Sequence, residues 1–283
     1  YKMPKQWFSQ FDVVIGDEVH HFKATSLKGI MEKLENCRYR FGFTGTLDGA
    51  LTNKMTLEGL FGSVHQVITS RELMDNNFIS DIKIKIIILK HEEHNKKEIY
   101  KLRNAKNFAY KDEVRYLVDN EKRNKFLRNL VCEFKQNSLL LFNYIDHGKL
   151  LHKMISEKCD ENRNVYLIYG GIDAEEREKI RKIFNEQSSA IIVASYATFS
   201  TGVNIPNLFH VVLGSPSKSR IRVLQSIGRG LRLHEEKQHL MLYDIADDIR
   251  YKSFENFTLQ HLSERINIYS SEGFSFKIYN VEL

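Results

Sequence analysis

Short apolar runs alternate with amphipathic segments along most of the chain. Between several of the runs, apolar side chains recur every three or four positions, as at residues 25–34, 147–159 and 173–185, which is typical of helices with one buried face. The apolar runs themselves have the length of strands and lie at 11–15, 39–43, 82–89, 138–142, 164–169, 190–194, 210–213 and 240–243. Strands that alternate with helices predict a parallel sheet with helices on both faces.

The pattern divides the chain into two blocks. Residues 1–89 form the first block, residues 90–124 are charged and predicted to be a helical connection, and residues 125–283 form the second block with a helical tail. The first predicted strand begins at residue 11, whereas an open α/β domain ordinarily has earlier strands. The expected fold is therefore α/β, with two domains built on parallel sheets, the first incomplete at its N-terminus.

Composition narrows the class of protein. The chain has 283 residues, of which 42% are hydrophobic, so packed cores are expected rather than disorder. The net charge of +6 is compatible with a polyanionic partner. Cys37, Cys132 and Cys159 are odd in number and far apart, which favours a reducing compartment over a disulfide framework. Because no apolar run is long enough to cross a bilayer and no signal peptide is visible, no membrane partner is expected.

Two adjacent carboxylates follow the first apolar strand. Asp17 and Glu18 come after Val13–Gly16, and His20 stands two positions further on. Ligands of open α/β sheets bind at the carboxyl ends of parallel strands, where this pair is predicted to lie. We expect Asp17 to hold Mg²⁺ through water and Glu18 to polarise an attacking water. A solvated turn is the alternative, and it would be preferred for two carboxylates without the preceding strand.

Two turns with small hydroxyl residues follow later strands. Thr44, Gly45 and Thr46 close the second strand, where the hydroxyls are placed to hydrogen-bond the turn that contains the carboxylates. Ser200, Thr201 and Gly202 follow the strand at 190–194, and such a turn can hold a nucleic-acid phosphate or a nucleotide ribose. Ordinary strand-end turns are the alternative for both.

Near the end of the chain, four positions share one face of a predicted helix. Gln225, Gly228, Arg229 and Arg232 are spaced at i, i+3, i+4 and i+7. The guanidinium groups of the two arginines suit phosphate oxygens, although a basic surface helix is the alternative.

The sequence contains no G-x-x-x-x-G-K-[ST] loop, whose backbone amides cradle phosphates in many nucleotide-binding proteins. A kinase or dehydrogenase is disfavoured, because no glycine-rich phosphate loop opens a βαβ unit.

Taken in order, these motifs resemble those of superfamily 2 helicases, and in particular the recombination helicases of T4-type phages. The similar segments are residues 17–20 for motif II, 44–46 for motif III, 139–143 for motif IV, 200–204 for motif V and 225–232 for motif VI. The resemblance implies two RecA-like domains, with ATP in the cleft and DNA across their tops. It implies an ATP-driven DNA helicase or translocase that remodels forks, Holliday junctions and R-loops in phage recombination, replication and repair.

The resemblance also assigns roles by motif. Asp17 and Glu18 become the magnesium and water residues, while His20, Thr44, Thr46, Gly202 and Gln225 bind the nucleotide or couple its state to DNA. Arg229 and Arg232 become catalytic arginines that face the γ-phosphate. The residues that contact DNA are Asn143, Ser200 and Thr201. ATP and Mg²⁺ are the expected cofactors.

Partners and location follow from the same resemblance. Single-stranded or branched DNA is the expected partner, with RNA in R-loops as a further one, in the cytoplasm of an infected bacterium. Because the phosphate loop is missing, we expect negligible ATP hydrolysis from this chain alone, and a second chain that carries the loop is one way to complete the site. Two alternatives are kept. One is a non-catalytic DNA-binding or adaptor half of a split or decayed helicase. The other is the translocase part of a restriction enzyme, for which no nuclease pattern is visible.

Overall fold

The computed structural model describes residues 2–22, 24–45, 47, 51–105, 108–200, 205, 207–215, 228, 237 and 239–283. These residues divide into two compact units, one ending at residue 68 and the other beginning at residue 69. Each unit is described by itself.

The first unit contains a small parallel sheet. Strand β1 (Val13–Gly16) pairs with strand β2 (Tyr39–Gly42), and the two strands lie side by side in register. Its helices are α1 (Lys5–Phe8), α2 (Thr25–Lys33) and α3 (Leu51–Phe61), with a single 3-10 turn at Val19–His21. The core of the unit is formed by Phe8, Met31, Leu34 and Cys37.

Two glycines allow the helix and turn to approach this sheet. A Cβ atom on Gly16 would lie 2.8 Å from Cγ1 of Val19, and a Cβ atom on Gly42 would lie 3.0 Å from Cγ of Phe61. A Cβ atom at Gly16 would force Val19 to shift, and one at Gly42 would make a tight contact with Phe61, so glycine favours close packing at both positions. The ends of β1 and β2 are thereby fixed against α3 and the 3-10 turn.

The second unit is built on a sheet of seven strands in the order β5-β6-β4-β7-β8-β3-β9, and every pairing is parallel. The strands are β3 (Asp81–Lys90), β4 (Ser138–Phe142), β5 (Val165–Ile168), β6 (Ile191–Ser195), β7 (His210–Leu213), β8 (His239–Asp248) and β9 (Ser275–Glu282). Strands β4, β6, β7 and β8 lie in the interior of the sheet. They are almost wholly buried, as expected for a sheet covered on both faces.

Helices connect these strands. They are α4 (Ser70–Asp75), α5 (Glu93–Ala105), α6 (Tyr110–Asp119), α7 (Glu121–Glu133), α8 (Ile145–Lys158), α9 (Ala174–Asn185), α10 (Tyr196–Ser200) and α11 (Phe257–Ser271). Helix α4 begins with a capping box, in which Thr69 accepts the amide hydrogen of Glu72 and the Glu72 carboxylate accepts that of Thr69. None of the described helices is both long enough and apolar enough to cross a bilayer.

The structure corrects two expectations about the sheets. The sequence pattern places the strand at 82–89 in the first domain, yet β3 pairs with β8 and β9 of the second unit. The pattern also predicts a helical tail after residue 245. Helix α11 (Phe257–Ser271) lies there, but β8 continues to Asp248 and the chain ends in strand β9, which the pattern does not predict. Both errors have one cause: parallel partners far apart in sequence leave no local signal of their pairing. The helix predicted at 220–228 lies outside the described residues, apart from Gly228.

Candidate nucleotide and DNA site

The predicted carboxylate pair lies at the carboxyl end of β1. Both Asp17 and Glu18 are exposed, and the Glu18 amide donates to Oδ1 of Asp17 at 2.8 Å. Glu18 has φ 49° and ψ 46°, which is the left-handed region. In this region a residue other than glycine, asparagine or aspartate costs about 1 kcal/mol or more of conformational free energy. Such strain is concentrated at functional sites. The sequence gives no signal of this conformation.

Backbone hydrogen bonds hold the turn in place. The Phe43 amide donates to the carbonyl of Gly16 at 2.8 Å, and the Val19 amide donates to the carbonyl of Phe43 at 3.1 Å. Glu18 therefore lies between two residues whose backbones are tied to the end of β2. This anchoring is what keeps its strained conformation.

The buried ring of His20 joins the two strand-end turns. Its Nδ1 atom lies 2.8 Å from Oγ1 of Thr44 and 3.2 Å from Oε2 of Glu18. Because a carboxylate accepts but does not donate, a proton on Nδ1 suits the Glu18 contact. The contact predicted between the Thr44 hydroxyl and this turn is present, while its role in coupling remains a prediction.

The carboxylates fit a magnesium ion that arrives with a nucleotide. Within the described ranges no group of three or more His, Cys, Asp and Glu side chains is placed to hold a metal. Mg²⁺ in phosphoryl-transfer sites is commonly bound by one or two carboxylates together with phosphate oxygens and water. Asp17, exposed at the strand end, is suited to that arrangement and not to a site made of protein ligands alone.

Three strand ends of the second unit are tied together by Ser215, which follows β7. Its Oγ atom accepts a hydrogen bond from the Asn143 amide at 3.2 Å, and its carbonyl accepts one from the Tyr196 hydroxyl at 3.0 Å. Asn143 follows β4, and Tyr196 follows β6. Asn143 is thus at the carboxyl edge of the sheet, and its contact with DNA remains a prediction.

The remaining predicted site residues lie outside the part that the structure describes. They are Thr46, the side chain of Ser200, and Thr201, Gly202, Gln225, Arg229 and Arg232. The structure brings together Asp17, Glu18, His20 and Thr44 in the first unit and places Asn143 in the second.

A buried charged network at the same edge of the second sheet has no counterpart among the sequence predictions. Nε of Arg123 lies 2.9 and 3.0 Å from the two carboxylate oxygens of Asp247, and Nη2 of Arg123 donates to the carbonyl of Gly214 at 2.8 Å. Nε2 of His91 lies 3.0 Å from Oδ1 of Asp247, and Tyr116 contacts the other ring nitrogen. Burial opposes ionisation, but Arg123 and His91 hold the pKa of Asp247 below its usual value.

A signal for this network exists in the sequence. Arg123, Leu127 and Val131 recur every four residues, and all three are fully buried. A charged residue in the apolar stripe of a helix requires a buried partner of opposite charge. The partner itself, more than a hundred positions away, is found only from the fold.

Family models match residues in both units. Residues 4–49 match the family model described as "Type III restriction enzyme, res subunit", and residues 121–234 match "Helicase conserved C-terminal domain". The chain is 33% identical over 295 aligned positions to the "ATP-dependent DNA helicase uvsW" of Enterobacteria phage T4, covering 100% of the chain and 57% of that protein. It is 28% identical to "Putative helicase 22" of a Sulfolobus islandicus filamentous virus, covering 85% of the chain and 43% of that protein.

Solved structures show the same likeness. The crystal structure of T4 UvsW is 31% identical and superposes with a TM-score of 0.60, covering 99% of the chain and 56% of that structure. A fragment of an HsdR subunit of a type I restriction enzyme from Vibrio vulnificus YJ016, 18% identical, superposes with a TM-score of 0.68 over 98% of the chain and 50% of that fragment, and shows the fold alone. The chain spans about half the length of the relatives it matches. With its parallel sheets, its strand-end motifs and these relatives, the chain is similar to superfamily 2 helicases and has an α/β fold of the RecA-like kind.

Proposed function

We propose that this chain forms part of an ATP-driven DNA helicase or translocase. The observation that carries the proposal is the turn after β1, where Asp17 and Glu18 are exposed and His20 is bonded to Thr44, in a chain similar to a protein named an ATP-dependent DNA helicase. A solvated surface turn does not require a buried histidine that bridges two strand ends. Nucleotide chemistry at this edge does require fixed carboxylates.

The chain's own residues have distinct tasks in this proposal. Asp17 orients the magnesium–nucleotide complex, in which the metal neutralises phosphate charge. Glu18 orients the attacking water and accepts its proton. His20 and Thr44 hold the Glu18 turn and pass its state to the end of β2. Arg229 and Arg232 stabilise the charge that develops on the γ-phosphate, while Gln225 and Gly202 contact the nucleotide.

The proposed substrate is branched or single-stranded DNA, including forks, Holliday junctions and R-loops with their RNA strand. Asn143 follows β4, and Ser200 ends the helix that follows β6, at an edge of the sheet where we propose that backbone phosphates bind. Thr201 is proposed as a DNA contact from its motif alone. The proposed setting is phage recombination, replication and repair in the cytoplasm of an infected bacterium. The relative's printed name supports DNA as the nucleic acid.

ATP hydrolysis by this chain is proposed to need a further polypeptide. The sequence holds no phosphate-cradling loop, so the carboxylates alone do not bind the triphosphate in a fixed position. The alternative function is that of a non-catalytic DNA-binding or adaptor half of a split or decayed helicase.

The deciding experiment is DNA-stimulated ATPase activity of the chain, alone and co-expressed with the part of T4 UvsW that the chain does not match. We expect no ATPase activity from the chain alone and DNA-stimulated ATPase activity when the two polypeptides are co-expressed. Activity should vanish in Glu18→Gln but persist in Glu32→Gln, which changes an exposed carboxylate on α2. Silence in both samples, with DNA still bound, would establish the adaptor alternative instead. Activity of the unaccompanied chain would show that the phosphate loop is not required.

DNA binding gives a second readout. If backbone phosphates provide the contacts, affinity should fall steeply as salt concentration rises, since each neutralised phosphate releases counterions. An affinity that does not change with salt would contradict the proposed DNA path.

A further inference from the structure

Two cysteine side chains of the second unit lie in contact. Sγ of Cys132 lies 3.1 Å from Sγ of Cys159, and both cysteines are free thiols. Cys132 belongs to the last turn of α7, and Cys159 directly follows α8, so the contact joins the ends of two helices. Because the sulfur atoms of a disulfide lie about 2.05 Å apart, each sulfur would move by only about 0.5 Å to form the bond.

Hydrogen bonds hold the backbone of both cysteines in place. The Cys159 amide donates to the carbonyl of Ile155 at 2.9 Å, and Nη1 of Arg163 donates to the carbonyl of Cys132 at 2.8 Å. Nε of Arg163 also donates to the carbonyl of Ser189 at 2.6 Å. Arg163 thus fastens the segment after Cys159 to the end of α7. Since the folded chain already orders both cysteines, a covalent bond between them requires little further loss of conformational entropy.

The two thiols differ in reactivity. Both are half-buried at the margin of the core that contains Val131 and Ile155. Burial, reinforced by the hydrogen bond with Cys159, raises the pKa of the Cys132 thiol to about 12. Cys132 therefore keeps its proton near neutral pH. Because the thiolate is the nucleophile, we expect Cys159 to be the sulfur that reacts first with an oxidant.

We propose that Cys132 and Cys159 form a reversible disulfide when the chain meets a hydroperoxide, and that this bond staples α7 to α8. In a reducing compartment the pair stays as two thiols, and the bond forms only when the oxidant rises. The inference is independent of ATP and DNA, since it concerns two side chains of the second unit alone.

The reaction has two steps. The Cys159 sulfur first attacks one oxygen of hydrogen peroxide, the O–O bond breaks, and the other oxygen leaves as water with the former thiol proton, so that Cys159 becomes a sulfenic acid. The Cys132 sulfur then attacks the Cys159 sulfur. The S–S bond forms as the S–O bond breaks, and the hydroxyl group leaves as water with the Cys132 proton. Two thiols are oxidised by two electrons, and one peroxide is reduced to two waters.

The position of the staple predicts its effect. Helix α8 begins at Ile145, beside Asn143 at the carboxyl edge of the sheet, and runs for 14 residues. At about 1.5 Å per residue, Cys159 lies about 20 Å from that edge. The bond would close a loop that contains β4 and the whole of α8. Because a cross-link restricts the unfolded chain, it should stabilise the second unit and leave the strand ends unchanged.

The test is oxidation of the full chain by a small excess of hydrogen peroxide after the reductant has been removed, followed by peptide mapping and urea titration. We expect a peptide pair that links Cys132 to Cys159 and a mass lower by two hydrogen atoms. The urea midpoint of the second unit should rise by about 1 M, and a dithiol reductant should reverse the rise.

Cys37→Ser is the matched control, because Cys37 is a buried thiol of the first unit. This variant should form the link as the parent does, whereas Cys132→Ser and Cys159→Ser should form no link and show no rise in the midpoint. Comparison of the oxidised with the reduced parent keeps the test decisive even if a variant does not fold.

Several outcomes would overturn the proposal. They are no reaction, a sulfinic acid on Cys159 beside an unreacted Cys132, a bond that involves Cys37, and a bond between two chains. A link between Cys132 and Cys159 that leaves the urea midpoint unchanged would overturn it too, because the bond would then form without stapling the helices.

Discussion

His20 Nδ1 and Thr44 Oγ1 lie 2.8 Å apart, although 24 positions separate the residues in the sequence. The contact joins the turn after β1 to the turn after β2. The same ring nitrogen is 3.2 Å from the Glu18 carboxylate. His20 therefore contacts both Thr44 and the proposed water-orienting residue, and we expect a movement of Thr44 to reach Glu18 through this one side chain.

Replacing Thr44 by Val should weaken this connection. The change removes a hydroxyl partner of a buried ring, which typically costs about 1 kcal/mol. We expect the free energy of unfolding of the first unit to fall by that amount, measured by urea titration, and DNA stimulation of the ATPase activity in the completed enzyme to fall more than basal turnover does. Thr44→Ser should restore both. If Thr44→Ser behaves like Thr44→Val, the hydroxyl is not the group that matters.

Because Glu18 has a left-handed backbone, we expect a substitution that relieves this strain to raise stability while it abolishes activity. Asn tolerates this conformation better than Glu, so Glu18→Asn should raise the free energy of unfolding by about 0.5–1 kcal/mol. The same change should abolish ATP hydrolysis in the completed enzyme. Lys252, which also has positive φ at 52°, is the control: Lys252→Asn should leave turnover unchanged. A Glu18→Asn protein that still hydrolyses ATP would remove Glu18 from the chemistry.

The buried pair of Arg123 and Asp247 should contribute strongly to the stability of the second unit. Asp247→Asn leaves the guanidinium buried without its charge partner, and we expect a loss of about 3–5 kcal/mol in the free energy of unfolding. Asp75→Asn is the control, because its 2.8 Å ion pair with Arg71 is exposed and should contribute about 1 kcal/mol or less. Equal effects of the two substitutions would refute the importance of burial.

The lowered pKa of Asp247 also sets the direction of a pH effect. The unfolded chain takes up a proton near the ordinary value of 3.8, while the folded chain resists protonation. The stability from this carboxylate is therefore fully present above that pH and is lost as pH falls through the lowered folded pKa. In urea titrations between pH 5 and 2, the free energy of unfolding should fall less steeply with decreasing pH in Asp247→Asn than in the parent. One titrating proton contributes at most about 1.4 kcal/mol per pH unit to this slope.

His147 predicts a second pH effect at milder acidity. Burial, reinforced by the charge of Arg123, lowers its pKa to about 3. Its Nε2 atom contacts Oδ1 of Asn124 at 2.9 Å. Because the unfolded chain binds a proton near pH 6.5 and the folded chain does not, stability from this group is present above pH 6.5 and declines as pH falls towards 3.

Between pH 6 and 4, the free energy of unfolding should depend less steeply on pH in His147→Gln than in the parent. The difference in slope should be about 1.4 kcal/mol per pH unit, the contribution of one titrating proton. His94→Gln is the control, because His94 is exposed on α5. An unchanged slope in His147→Gln would show that the ring titrates freely in the folded protein.

The sequence predicted the alternating elements and the strand-end motifs because both depend on local patterns. The strands at 138–142 and 210–213 and the turn with Asp17 and Glu18 were found in this way. The pairing of β3 with β9, the left-handed Glu18 and the Arg123–Asp247 pair were not. Each of them depends on residues that are distant in sequence or on a backbone angle. The spacing of Arg123 and Leu127 indicates that Arg123 is buried, but it does not identify Asp247 as the partner.

The ladder formed by β8, β3 and β9 has a consequence for biosynthesis. Strand β3 begins at Asp81, near the start of the second unit, and its two neighbours begin at His239 and Ser275. A ribosome that has released β3 must synthesise almost the whole unit before either neighbour is available. Until then the isoleucine-rich strand emerges without a partner, so we expect it to need protection by a chaperone during translation.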